Sequence, residues 1–595
     1  MIKYFFKILL ELFKRYIQKN WFYNVIKITT LLKQKKIHFL LTMLYASSTI
    51  HAQPGEIDAG QIINQIENND PQSIDSAPQL PEVNADQAPS SSDIKVNLKN
   101  IQFSGNQALS NEMIQEFFAQ YLNTPLTVEQ IKSIPSNLSL FYRQNNLIAE
   151  ITLPDQDITE GDLVIEIMEA QMGEVTIEPN DEVSIKKNYL KQYFRSNEGD
   201  QLNLKIIAER ILIVNELPGL TAEAQLKAGT KVGTTDVVIK TKESKRFITN
   251  LNYDNYGSRS TGQQRAIASA SLNNPFGVGD QISITALKSE GVDYARMNYG
   301  IPVGYTGLRA NVFVTYLEYD VILQEFDSTK PYGYSNSYGL NVTYPVSLEP
   351  SNKWTTGAGY ENRSFKNKTL SGTSSDYETR VFNLNLNGQK IDKLLFSGAF
   401  NQFQFDIDRG QVDLGGSPNK ATEAAGADTQ GSFNKLTVSA ARTQFVNENW
   451  TMYGKFLYQW ADQNLDSSEK LYLGGPNGVR AFPLNEGSGS KGYIANLEVR
   501  RSLPYNLTGS AFYDIGHVQQ YIDNQNSSGA DIATDNRLTY KGYGVGLTWR
   551  GPYASDVSIL VARRHGKNPN PATTGGDQDG SNKDNFVWLR AGVTF

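Results

Sequence analysis

The chain predicts a mainly β fold: a sixteen-stranded transmembrane β-barrel, preceded by two small α+β units and an N-terminal amphipathic helix. Three observations carry this expectation. The 595 residues include 31 Tyr, the usage expected where amphipathic rings girdle a membrane interface. Mean hydropathy is negative and no run of eighteen apolar residues occurs, so spanning helices are not expected. A membrane protein without them spans as a closed barrel. Finally, residues 246–595 read as a long series of segments in which apolar and polar residues alternate.

At the N-terminus, Lys33-Gln34-Lys35-Lys36 precede the short apolar run 37–45, then Ser47, Ser48, Thr49 and Ile50-His51-Ala52. The order of basic, apolar and small residues reads as a secretory signal over residues 1–52, cleaved after Ala52; the apolar run is too brief for an anchor helix. Residues 1–32 read either as a long basic n-region or as the product of an upstream start. Removing residues 1–52, with nine basic residues and one acid, takes the formal net charge from −6 to −14. That balance argues against a nucleic-acid partner. With no Cys, disulfides and thiolate metal sites are excluded.

Within residues 53–68, the stretch 55–68 places Ile62, Ile63 and Ile66 on one helical face, with Ile57 and Ala59 beside it. So short a helix is marginal alone in water and needs a surface to dock on. Residues 69–94 are rich in Pro, Ser, Asp and Gln with almost no apolar periodicity, the composition of a flexible linker. An amphipathic helix on a tether is a movable part.

Residues 95–171 and 172–245 read as two α+β units of one order, β-α-α-β-β. In the first, 96–103 alternates as a strand, Ser110 N-caps a helix to Phe118, and Thr127 with Gln130 forms a capping box for a helix to Tyr142. Strands at 148–153 and 163–168 complete it. The second repeats the order with strand 175–177, helices 184–194 and 204–215, and strands 222–226 and 236–240.

In the barrel region, Phe382, Leu384 and Leu386 alternate with Asn383, Asn385 and Asn387, an apolar exterior against a polar interior. Leu308 to Tyr316, Ile282 to Ala286 and Tyr543 to Trp549 repeat the pattern. Short connections at 303–307, 387–392 and 503–506 oppose long ones at 408–432, 516–536 and 565–583, as expected of a periplasmic and an extracellular face. The last strand carries Val587, Leu589, Ala591, Val593 and a terminal Phe595 on one face.

No enzyme constellation stands out: there is no Gly-x-Ser-x-Gly elbow, no Walker loop and no His pair at helical metal spacing. Asp406-x-Asp408 and Asp577-x-Asp579-Gly580 lack the remaining ligands of a calcium loop and read as solvated acidic loops. His517 and His565 read as ordinary residues at or after strand ends. No metal or cofactor is expected. The informative stretches are Gly474-Gly475-Pro476-Asn477-Gly478-Val479-Arg480-Ala481-Phe482-Pro483 and Phe512-Tyr513-Asp514-Ile515-Gly516. A lone basic residue in a Gly-rich loop, with an acid some thirty residues on in a strand, suggests a charge pair holding the loop. Its glycines suit a hairpin folded back into the lumen over residues 464–490. Phe512 and Gly516 share the strand face of Asp514. At ~4 Å and an effective dielectric near 20 such a pair attracts by roughly 4 kcal/mol. Desolvation cancels most of that, so the pair positions more than it stabilises.

The two motifs resemble the V-R-G-F/Y loop and F-x-D-x-G strand of the barrel-assembly superfamily, and in particular the two-partner secretion transporters of the ShlB/FhaC type; Ala481 stands where Gly is common in the wider superfamily. The two α+β units resemble polypeptide-transport-associated (POTRA) domains. Pro154-x-Gln156 with Gly161 and Leu163, and Arg210 with Asn215-Glu216-Leu217-Pro218-Gly219, are similar to the versions in these transporters, although Glu216 replaces an expected Asp. The resemblance implies an outer-membrane protein of a Gram-negative bacterium with POTRA domains in the periplasm. It implies capture of the N-terminal secretion domain of a large exoprotein, of haemolysin, adhesin or contact-dependent toxin type. It also implies a plug helix carrying Ile62, Ile63 and Ile66, a lock made by Arg480 and Asp514, and a terminal strand ending in Phe595 that the barrel-assembly machinery recognises. An outer-membrane insertase is the alternative reading. That class normally carries more POTRA units and no detachable helix. Porins lack POTRA units, and plugged receptors carry a folded plug domain.

Overall fold

The computed structural model describes residues 57–68, 95–179, 184–197, 199–573 and 575–595. The expected signal at 1–52 and the expected linker at 69–94 lie outside them. Among the described residues no helix is long and apolar enough to cross a membrane.

The helix expected over 55–68 is α1, Ala59–Asn68. It starts at Ala59 because the Asp58 carboxylate accepts the Gln61 backbone N–H at 2.8 Å, satisfying a donor of the first turn. The first α+β unit contains β1 (Lys95–Asn97), β2 (Asn100–Ser104), α2 (Asn111–Phe118), β3 (Pro125–Thr127), α3 (Val128–Gln144), β4 (Ala149–Thr152) and β5 (Asp162–Glu169). The expected single strand 96–103 is thus two strands. Leu98 turns into the core between them, so β1 pairs with β3 while β2 pairs with β5. Ser110 and Thr127 cap α2 and α3, and Gln130 completes the capping box. Thr127→Ala should lower the stability of this unit by about 1 kcal/mol, read as a shift in its unfolding midpoint.

The second unit contains β6 (Gln171–Pro179), α4 (Lys187–Tyr193), α5 (Leu204–Asn215), β7 (Leu220–Ala228) and β8 (Thr234–Glu243). Its sheet order β6-β8-β7 repeats β2-β5-β4, one parallel and one antiparallel pair in each. The singled-out residues stitch turns together. Gln156 accepts the Val164 N–H and donates to its carbonyl, and Asn215 does the same with Ala222. This unit docks directly on the barrel: Tyr305 packs on Tyr189 and Tyr193 with ring centroids 5.5 and 5.2 Å apart, and Glu216 meets Lys353 at 2.5 Å.

Sixteen antiparallel strands close the barrel, from Phe247–Asp254 to Asn585–Thr594. The closing seam pairs five residues, Asp254↔Arg590 through Asn250↔Thr594. Phe382, Leu384 and Leu386 face outward, while Asn383, Asn385 and Asn387 line the interior, joined by hydrogen bonds of 2.8 and 3.1 Å. Phe595 is exposed on the outer surface and exchanges backbone hydrogen bonds with Thr249. One expected turn is wrong. Residues 387–392 belong to the strand Gly372–Asp392, and the turn is 393–398. Its Leu394, Leu395 and Phe396 are exposed apolar residues that do not look like a turn, whereas the polar residues before them do.

Candidate functional site: a loop and a helix inside the barrel

Between the strands Trp450–Ala461 and Lys491–Leu503 the chain folds back into the barrel. A two-residue ladder, Leu471↔Gly489 and Tyr472↔Ser488, forms the stem. The tip needs glycines for different reasons. Gly475 has φ of 109°, left-handed backbone. Gly474 and Gly478 do not, but a Cβ on either would lie 1.9 Å from the Pro483 carbonyl or 2.1 Å from that of Leu473. Gly516 leaves room for Val479, whose Cγ2 would lie 2.9 Å from a Cβ there. Val479, Ala481 and Phe482 are buried against the wall together with Phe512. The Ala481 methyl fills space that a side chain at Gly542 would otherwise occupy.

The tip carries Arg480. Its Nη2 and Nε donate to Asp514 at 2.8 and 2.9 Å, and its backbone N–H adds a third bond at 3.1 Å. Asn496 supplies a fourth donor to Asp514 at 2.8 Å, so this fully buried carboxylate is well satisfied. Glu498 takes the remaining guanidinium nitrogen at 2.8 Å. Phe512 lies under the guanidinium, 3.4 Å from ring centroid to carbon, and the Trp588 indole N–H donates to the Arg480 carbonyl at 2.7 Å. The spacing argument brings Arg480 and Asp514 together but misses Asn496, Glu498 and Trp588. Two of these were reachable: antiparallel register sets Asn496 opposite Asp514, and Glu498 lies two residues on, on the same face.

A second contact ties the tip to the loop 565–584. Glu486 is buried and accepts from Asn568 Nδ2 and the Gln578 backbone N–H, each at 2.8 Å. Asp577, expected to be solvated, is fully buried beside Arg564, whose guanidinium packs over Phe482. Asp408 is likewise buried, in a strand and next to Lys435. Among the described residues no group of three or more metal-ligating side chains is placed to hold an ion. His517 lies within the strand Leu507–Gln519 and bonds Thr539; His565 follows a strand and bonds Tyr513.

Burial pushes the Glu486 carboxyl up from 4.5 to about 8, with Asp577 adding to the shift and Asn568 opposing it. A carboxyl whose pKa is higher docked than free stabilises the docked state below the free value. That stability is lost as pH rises through the docked value. The grip of loop 565–584 on the tip should therefore weaken up to about pH 8, read as channel open time rising from pH 6 to pH 9. Glu486→Gln should flatten that response; an unchanged slope would assign it to another group.

The helix α1 lies against the inner face of the barrel. Ala59, Ile62 and Ile63 are buried in one apolar cluster, with Ile66 packed at its edge. Asn367 Oδ1 accepts the Ala59 N–H at 2.9 Å, and Glu67 meets Arg296 at 2.8 Å and Arg363 at 3.5 Å. The helix also touches the loop. Ser467 Oγ donates to Asp58 at 2.8 Å, and Asn64 Nδ2 donates to the Ser468 and Lys470 carbonyls at 2.7 and 3.2 Å. None of these partners could be read from the sequence, because only barrel closure brings them to the helix.

A closed barrel with a loop and a helix in its lumen, fronted by α+β units, defines the transporter class of outer-membrane β-barrels. The chain belongs to the family described as "Haemolysin secretion/activation protein ShlB/FhaC/HecB", whose profile matches residues 233–548, over half its length. A "POTRA domain, ShlB-type" matches residues 96–170. The chain is 25% identical over 470 residues to the heme/hemopexin transporter protein HuxB of Haemophilus influenzae (strain 86-028NP), covering 76% of this chain and 81% of that protein. It is 26% identical over 436 residues to the outer membrane transporter CdiB of Dickeya dadantii (strain 3937), covering 71% and 76%. Among solved structures, CdiB from Escherichia coli superposes with a TM-score of 0.64 at 20% identity, covering 90% of this chain and 96% of that one. The protein is an outer-membrane transporter of two-partner secretion, with its POTRA domains in the periplasm.

Proposed function

We propose that this transporter exports one large exoprotein of haemolysin, adhesin or contact-dependent toxin type, threading it unfolded through the lumen while α1 is withdrawn on the linker 69–94. The observation that carries this reading is the helix itself. Ala59–Asn68 sits in the lumen on side-chain contacts, where a transiting chain would have to pass. The two α+β units, at 95–171 and 172–245, receive the secretion domain, in part by strand addition to an open sheet edge such as β4 or β7. Arg480 and Asp514 act as the lock that keeps the loop 464–490 folded inward. Outer-membrane lipid surrounds the apolar exterior, and the barrel-assembly machinery reads the last strand through Phe595. The family's description as haemolysin secretion/activation supports this cargo class, while HuxB is named for heme/hemopexin.

The test is single-channel conductance in planar bilayers, comparing the mature protein with a variant lacking residues 53–68. A small or flickering pore that becomes large and steady on deletion is the expected result. Equal conductance would mean that α1 does not occlude the lumen.

A further inference from the structure

Barrel lumens are polar, and much of this one obeys that rule, as the Asn383–Asn385–Asn387 ladder does. The wall beneath α1 does not. Leu317, Tyr319, Phe365, Tyr377 and Phe433, contributed by four of six consecutive strands, belong to one apolar cluster on the inner face, with Ser335 set between Leu317 and Phe365. Phe365 and Tyr377 are register partners, stacked with centroids 4.9 Å apart. All five belong to the barrel, so withdrawal of the helix would uncover the part of this surface that α1 covers, around Leu317, Tyr319 and Phe365. An apolar surface left exposed marks a binding site, and leaving it wet is unfavourable.

The rim of the wall is specific as well. At one end Asn367 Oδ1, itself held by the Tyr319 hydroxyl at 2.9 Å, accepts a backbone N–H. At the other, Arg296 receives the Glu67 carboxylate at 2.8 Å, and Arg363, already paired with Glu361 and Glu469, meets it at 3.5 Å. The occupant now in place shows what the surface reads: apolar side chains at positions i, i+1 and i+4, supplied by Ile62, Ile63 and Ile66, followed directly by the acid Glu67. We propose that this wall is a binding site for amphipathic, acid-ended segments of the polypeptide in transit, and that α1 is its resting occupant. The inference rests on the reading of α1 as a removable plug. It makes the plug a competitor: a transiting segment of the same pattern holds the wall and keeps α1 from returning, and α1 re-enters once such segments have passed.

Synthetic peptides test this on the variant lacking residues 53–68. One carries the sequence of residues 57–68. A second keeps the three Ile and the Glu in place but shuffles every other position, and a third replaces that Glu with Lys. The first two should block the current at similar concentrations, and the third about tenfold more weakly. The double substitution Leu317→Asn and Phe365→Ser in the barrel, its folding checked by heat-modifiable mobility, should abolish all blockade. Blockade by the native peptide but not by the shuffled one would overturn the proposal, because the wall would then recognise α1 alone. So would undiminished blockade of a folded double variant. If the deletion itself leaves conductance unchanged, the plug reading fails and takes this inference with it; an opened pore that no peptide blocks sinks this inference only.

Discussion

Asp514→Ala is expected to release the loop 464–490 from the barrel wall and to convert an occluded pore into a large one. The carboxylate accepts three hydrogen bonds from Arg480 and one from Asn496, with no solvent exposure. Removing one partner of a buried ion pair costs about 3–5 kcal/mol, chiefly because the other charge is left buried. Here Glu498 still meets Arg480 at 2.8 Å, which places the loss at the lower end. The loop can avoid even that cost by undocking, since a freed Arg480 regains water. Release is therefore expected in place of unfolding. The chain has no Cys, so a single Val479→Cys makes a clean reporter: it is buried in the docked loop. A membrane-impermeant maleimide should label it slowly in the parent and at least tenfold faster beside Asp514→Ala, as a shift beyond 1.4 kcal/mol requires. Equal labelling would mean that apolar packing of Val479, Ala481 and Phe482 holds the loop without the ion pair. Asp514→Asn separates charge from shape and should fall between the two.

The sequence makes barrel strands legible because one face must be apolar and the other polar, and period-2 alternation reports that directly in Phe382 to Asn387. It fails where the strand outlasts the alternation, as at residues 387–392, which are polar but for Gly388 and Ile391 yet remain in a strand. The Arg480–Asp514 contact is legible because both residues stand out locally, one among glycines and one between Phe512 and Gly516. The solvated reading of Asp577 fails for the opposite reason: its partner Arg564 belongs to an adjacent strand, and nothing local to Asp577 predicts burial. Partners of α1 are illegible on the same ground. Arg296 and Arg363 are unremarkable in their own strands and acquire meaning only when the barrel brings them to Glu67.

Ile63→Asp should expel α1 from the lumen and reproduce the conductance of the deletion. Ile63 is fully buried among apolar and aromatic side chains, and an unpaired carboxylate placed there pays several kcal/mol in lost hydration. A ten-residue helix is marginal in water, so α1 has no stable structure to fall back on. Ile66→Ser, at the edge of the cluster, should open the pore less often. The more informative experiment pairs Ile63→Asp with Asp514→Ala. Helix and loop are not independent: Asp58 and Asn64 bond loop residues Ser467, Ser468 and Lys470, and Arg363 lies between Glu67 of the helix and Glu469 of the loop at 3.5 and 3.2 Å. Losing either element strips contacts from the other. Each single variant should therefore already raise exposure of both reporters, Val479→Cys on the loop and Ala59→Cys on the helix. The two effects together should fall short of their sum by 0.5–3 kcal/mol, the range for sites in one network. Strict additivity would instead mean two separate gates, each opened by its own signal. Coupling of the expected size lets one event, the arrival of a chain at the helix, loosen a loop anchored on the far side of the lumen.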